Sequence, residues 1–338
     1  MLGMSLSAGR GLSGPLYHVH EVPEHFHEHF ILRGYRHPKS SVTQCLLSLF
    51  DATNETLNIW THFLPSWYFV YVLSHLWRSV DFVADSYTWP LLCYLLVCCA
   101  FPLTSAAAHL FNVMSERARH VCFFLDYSAL SLFSFGVAII YRAYCFPSDL
   151  LSDEGYFAWY RNNYVNVAAV FAILCTLISC ETRFMTPSTL RKALRLGSFA
   201  VPYVYDSIPL VYRLIHKGLG ESHVSAAQYL HTRQFLFAFL AAFLYASHLP
   251  ERLLPGIFDI VGHSHQLFHV FSILAVVDQL QAVLLDFRER REYVQHRWHF
   301  EQPSHSLAYL AAILLINLFV IFLFTLRLLH LKHKLKTS

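Results

Sequence analysis

Ser105 and His109 stand four residues apart, as do His265 and His269, and Asp126 sits among apolar neighbours. A spacing of four brings each pair to one helix face. Three histidines can offer three neutral imidazole nitrogens to Zn²⁺ and leave a fourth position for water. Asp126 could accept a hydrogen bond from that water and act as a base, or orient a histidine. Ser105 could hold His109 or the water in place. Ordinary interhelical hydrogen bonding of interfacial histidines explains the same residues. With 22 histidines in the chain, an accidental pair four apart is not rare. His263 is an alternative ligand to His265, though it does not share a face with His269. Spacing alone leaves these readings open.

The elements that must position these residues are membrane spans. Only 14% of the 338 residues are charged and 55% are hydrophobic. A soluble domain carries about 25% charged residues, so one globular core could not hide so much apolar surface. Eight stretches have the roughly 20 apolar residues that a bilayer requires: about 60–78, 88–111, 121–145, 163–180, 194–215, 230–249, 263–285 and 306–328. The expected fold is all-α, a polytopic membrane helix bundle with a seven-helix core and an eighth C-terminal transmembrane helix. Residues 1–30 are expected to be a mobile segment, 31–58 an interfacial amphipathic segment, 59–328 the bundle and 329–338 a basic cytosolic tail. A net charge of +3 gives no ground for a nucleic-acid partner. The eight cysteines lie nearly all in apolar stretches, without a CxxC pair, and read as small hydrophobes. Residues 1–30 lack the apolar core of a secretory signal.

With eight spans and the N-terminus inside, 15 of the 25 basic residues fall on the inner side. Arg288, Arg290, Arg291 and Arg297 oppose that bias, which still favours a cytosolic N-terminus. In this topology Ser105, His109, Asp126, His265 and His269 all come near the cytosolic face. Isolated polar residues in spans are costly and thus functional suspects. Asp206 and Asp278 are two more, each able to line a polar cavity or to pair with another helix. Glu55, Asn58 and His62 share one face entering the first span and could serve a ligand or anchor the helix. The histidine run at 18, 20, 25, 27 and 29 reads as a solvated tract. Asn54-Glu55-Thr56 matches a glycosylation acceptor but abuts the first span on the inner side.

Longer motifs carry a resemblance. Asn54-Glu55-Thr56-Leu57-Asn58-Ile59-Trp60-Thr61-His62, the Ser105/His109 pair, Phe124-Leu125-Asp126-Tyr127, His248 to Asp259, and Gly262 to His269 resemble the progestin and adipoQ receptor family. The likeness runs from about residue 30 to 285. Gly34-Tyr35-Arg36 and the span at 306–328 resemble the membrane progestin receptor branch, nearest its gamma or delta type. The resemblance implies zinc held by His109, His265 and His269, with Asp126 and Ser105 as the catalytic candidates of related ceramide hydrolases. It implies a plasma-membrane steroid (progestin) receptor that signals rapidly, with heterotrimeric G proteins as partners. The alternative is a zinc-dependent lipid amidohydrolase acting on a sphingolipid such as ceramide. A channel or transporter would show paired charges through several spans or broken repeats, and neither is evident.

Overall fold

The computed structural model describes residues 10–147, 158–218, 225–292 and 304–337. Four short strands open the chain: β1 (Arg10–Gly11) pairs with β2 (Gly14–Pro15), and β3 (Tyr17–His18) with β4 (Arg33–Tyr35). A one-and-a-half-turn helix, α1 (Val42–Leu47), follows. Eight long helices come after it: α2 (Thr56–Leu76), α3 (Trp89–Phe111), α4 (Glu116–Ile140), α5 (Ala158–Glu181), α6 (Thr189–Gly218), α7 (Ala226–Ser247), α8 (Ser264–Glu289) and α9 (Ser304–Thr337). All eight expected spans therefore appear as helices. Five are long and apolar enough, by length and composition, to cross a membrane: 86–111, 116–145, 158–181, 264–289 and 305–330. The protein is a multi-pass helical membrane protein.

The chain divides into two compact units. One comprises 1–65, 102–123 and 237–273, and the other 66–101, 124–236 and 274–338.

In the first unit, part of the N-terminal segment joins an apolar cluster. Val22, Phe26, Ile31 and Tyr35 are buried in one apolar cluster with Ile59, Ala106 and Leu110. Residues 1–9 of that segment lie outside the described residues. The first hairpin hangs on Asp51, whose Oδ1 accepts from the Leu12 N–H (2.6 Å) and Oδ2 from the Ser13 N–H (2.8 Å) and hydroxyl (2.5 Å). Burial opposes the Asp51 charge, but the bonds from Ser13 and Leu12 win and hold its carboxyl below the usual range. A Cβ on Gly11 would come within 2.5 Å of that carboxyl group. Gly34 sits at φ +87°, where a Cβ would meet Ile260 at 2.3 Å and the Asn54 nitrogen at 3.0 Å. Only glycine lets β4 run this close to the entry of α2.

Within the amphipathic segment expected over 31–58, Val42, Leu46 and Leu47 of α1 and Phe50 just after it are exposed apolar residues, which suits an interface. Ser41 and Gln44 form a reciprocal capping box at the start of α1.

In the second unit, Gly136 of α4 lets the chain approach α3, since a Cβ there would lie 2.5 Å from Val97. α5 packs against α6 and α9. Arg297 lies outside the described residues, as do the side chains of the tail from 331 onward.

Candidate metal centre

The three histidines singled out by spacing converge in the first unit. One ligand nitrogen from each of His109, His265 and His269 lies within 4.8 Å of the other two. The Nε2 atoms of His109 and His265 are 3.2 Å apart. For a tetrahedral ion with bonds of about 2.0–2.1 Å, ligand nitrogens stand roughly 3.4 Å apart, so this pair already has the needed spacing.

The backs of the rings decide which nitrogen carries the proton. Nδ1 of His109 faces Glu55 Oε2 at 2.7 Å, and Nδ1 of His269 faces the Asn58 carbonyl at 3.1 Å. Both partners accept, so both Nδ1 atoms carry the proton and both Nε2 lone pairs are left for a cation. Glu55 is itself fixed by donors from Asn58 (2.7 Å) and Asn112 (2.9 Å). It stands at the N-terminus of α2, where the helix dipole favours its charge. The His62 ring stacks on His269 with centroids 3.7 Å apart and planes 10° apart. The polar face Glu55–Asn58–His62 thus holds the histidines from behind.

Each helix end that delivers a histidine is pinned. At the end of α3, Arg36 donates to the His109 carbonyl (2.6 Å), the Leu110 carbonyl (2.7 Å) and Asn112 Oδ1 (3.1 Å). Those carbonyls have no partner within the helix, and a guanidinium suits the negative end of the dipole. At the start of α8, Glu251 accepts from the Ser264 N–H (2.7 Å) and from its hydroxyl, fixing the turn that carries His265. The motif around 248–259 therefore acts at a distance, through a cap on the ligand helix.

His263 turns elsewhere, with its Nε2 3.1 Å from the Asn54 carbonyl. Ser105 is buried on α3 one turn before His109. Asp126 is half-buried on α4 and belongs to the second unit. The donors that converge are those of the three histidines. The N-terminal histidine run belongs to neither of the two metal-capable groups among the described residues. Asn54 is buried, with its backbone tied to Gly34, which does not suit a glycosylation acceptor.

Arg36 was readable only as part of an entry motif, and its grip on α3 had no signal in spacing. The second metal-capable group, Cys145, His231 and Asp286, was not foreseen at all. All three are buried in the second unit on separate elements, and no local pattern joins them. Asp286 accepts two bonds of 2.6 Å from Arg213, and its Oδ2 is 3.0 Å from His231 Nε2.

A multi-pass helical bundle with a three-histidine cluster, two of the three buried, defines a membrane protein whose donors are compatible with a metal. The Haemolysin-III related family model matches residues 50–280, and the chain belongs to that family. It is 48% identical over 281 residues to membrane progestin receptor gamma from Homo sapiens, covering 82% of this chain and 83% of that protein. Membrane progestin receptor delta from Homo sapiens is 46% identical over 321 residues, covering 92% and 90%. Membrane progestin receptor alpha-B from Danio rerio is more distant at 31% over 283 residues, covering 82% and 78%. The resemblance to the gamma and delta types is borne out.

Proposed function

We propose that the protein is a plasma-membrane receptor for a progestin-type steroid, with its N-terminus in the cytosol and a zinc ion held by His109, His265 and His269. What supports the receptor reading is the identity to membrane progestin receptors across most of both chains. An apolar, aromatic bundle suits a ligand whose surface is mostly hydrocarbon with few polar groups. The zinc reading rests on three ring nitrogens within 4.8 Å of one another and on the acceptors at the Nδ1 edges of His109 and His269. Zinc bound there would tie α3 to α8 and could polarise an oxygen ligand in its fourth position. Steroid binding would bias the helix packing toward the state it prefers, and heterotrimeric G proteins are the partner class that would read that change.

The receptor reading is preferred to the sphingolipid amidohydrolase because the relatives bear receptor names. The test is one purified, zinc-quantified preparation of the full chain in lipid, assayed for saturable binding of tritiated progesterone and for ceramide turnover. Saturable binding without turnover is expected. Turnover that depends on His265, with no steroid binding, would replace the receptor by the hydrolase.

A further inference from the structure

Among the described residues, the second unit carries three buried acidic residues on its long helices, and two of them are paired with arginines. Asp278 takes two bonds of 2.6 Å from Arg233, and Asp286 takes two from Arg213. Asp206 on α6 is different. It is 2% exposed, and its Oδ2 accepts from the Ser134 hydroxyl at 2.6 Å. Its Oδ1 is buried with no hydrogen-bond partner among the described residues. An unpaired polar atom inside a span costs several kcal/mol, and such residues are characteristically functional.

The surroundings are aromatic. Tyr160, Tyr164 and Tyr205 form a triangle with ring centroids 5.4–5.7 Å apart, and Phe171 lies 5.2 Å from Tyr205. Two of the three hydroxyls are spent on the backbone: Tyr164 donates to the Asp206 carbonyl (2.7 Å) and Tyr205 to the Tyr164 carbonyl (3.2 Å). The third is spare, because the Tyr160 hydroxyl is buried and has no partner among the described residues. Tyr160, Tyr205 and Phe171 are only half-buried, so this group is open at one side. Pro202 and Pro209 flank Asp206 within α6. Each lacks an N–H, so the carbonyls of Ser198 and Tyr205 lose their donors and the helix is locally easy to bend.

We propose that Asp206 and Tyr160 form the polar end of a lipid-ligand site. It would take one oxygen function, a ketone or a hydroxyl, of a flat and otherwise apolar molecule lying against Tyr205 and Phe171. The proposal rests on the steroid-receptor reading and says where that ligand is held. The Tyr160 hydroxyl can donate to a ligand ketone, and the Asp206 carboxyl can do so when it carries a proton or can accept from a ligand hydroxyl when it does not, whereas a hard cation would need about six ligands. Aromatic faces and little else suit a steroid's hydrocarbon body.

The test uses the full chain in lipid, with tritiated progesterone as probe. Asp206→Ala is expected to weaken binding about tenfold or more, and Tyr160→Phe, which removes one hydroxyl, several-fold. Zinc content and the thermal midpoint should stay near those of the parent. Competing steroids that lack one ketone supply a readout that a merely structural role would not move. One of them should bind the parent weakly and be indifferent to both substitutions. Folded variants that bind progesterone as the parent does would overturn this site and leave the receptor reading standing. A parent chain with no saturable binding would overturn both.

Discussion

Two buried clusters in this protein have the composition of a metal site, and they use their polar atoms in opposite ways. In the first unit, His109 and His269 spend Nδ1 on Glu55 and on the Asn58 carbonyl, which puts the lone pair on Nε2. In the second unit, Gln234 donates to His231 Nδ1 (3.0 Å), so Nε2 carries the proton and gives it to Asp286 (3.0 Å). Arg213 occupies both oxygens of Asp286. Cys145 reaches His231 only at 4.0 Å. In the first cluster the Nε2 atoms of His109 and His265 face each other at 3.2 Å. The second is saturated and already carries a guanidinium where a cation would stand. Donor types in proximity do not make a site; what lies behind each donor does.

The largest effect that could break this contrast is loss of the metal itself. His109→Ala and His265→Ala are each expected to remove zinc from the purified protein, measured by elemental analysis. Asp286→Ala should leave zinc content intact. Retention of zinc in the histidine variants, or its loss in the aspartate variant, would reverse the assignment of the two clusters.

Asp286→Ala should instead appear as instability. Removing one partner of a buried ion pair leaves Arg213 and His231 uncompensated, at a cost of about 3–5 kcal/mol. Thermal unfolding of the protein in lipid reads this, and an unchanged midpoint would mean that the network holds little together.

Glu55→Gln sharpens the comparison from the other side. It keeps the shape but weakens the charge behind His109, and zinc affinity should fall about 10–100-fold. Competition with a chelator measures it. An effect equal to losing a ligand would place Glu55 in direct contact with the ion.

The smallest effect concerns pH. Because hydrogen bonds hold the Asp51 carboxyl below its usual range, its contribution is fully present above the unfolded value, near 3.9, and is lost as pH falls through the folded one. Hydrogen exchange at Leu12 and Ser13 should therefore stay protected from pH 7 to about 5 and loosen only in stronger acid. Protection that fails near pH 6 would point to one of the histidines in place of Asp51.

Much of this was legible in the chain. The apolar runs located all eight long helices, because a bilayer permits few alternatives to a helix of about 20 residues. The pairs at 105/109 and 265/269 marked the faces that carry polar groups. The aspartates were less readable: Asp278 proved to be paired with Arg233, while Asp206 kept a spare oxygen. Nothing near either one in sequence distinguishes the two outcomes, since both partners come from other helices.

The chain by itself determined that His109, His265 and His269 lie on two helix faces within a membrane bundle, because helical periodicity is a local property. Only the tertiary structure decided that one ring nitrogen of each histidine meets the other two and that His263 turns away to Asn54. Those outcomes depend on Glu55, Asn58, Arg36 and Glu251, which lie up to about 200 residues from the rings and helix ends they fix. A hydrogen bond is set by distance and direction in space, and a sequence records neither for residues so far apart.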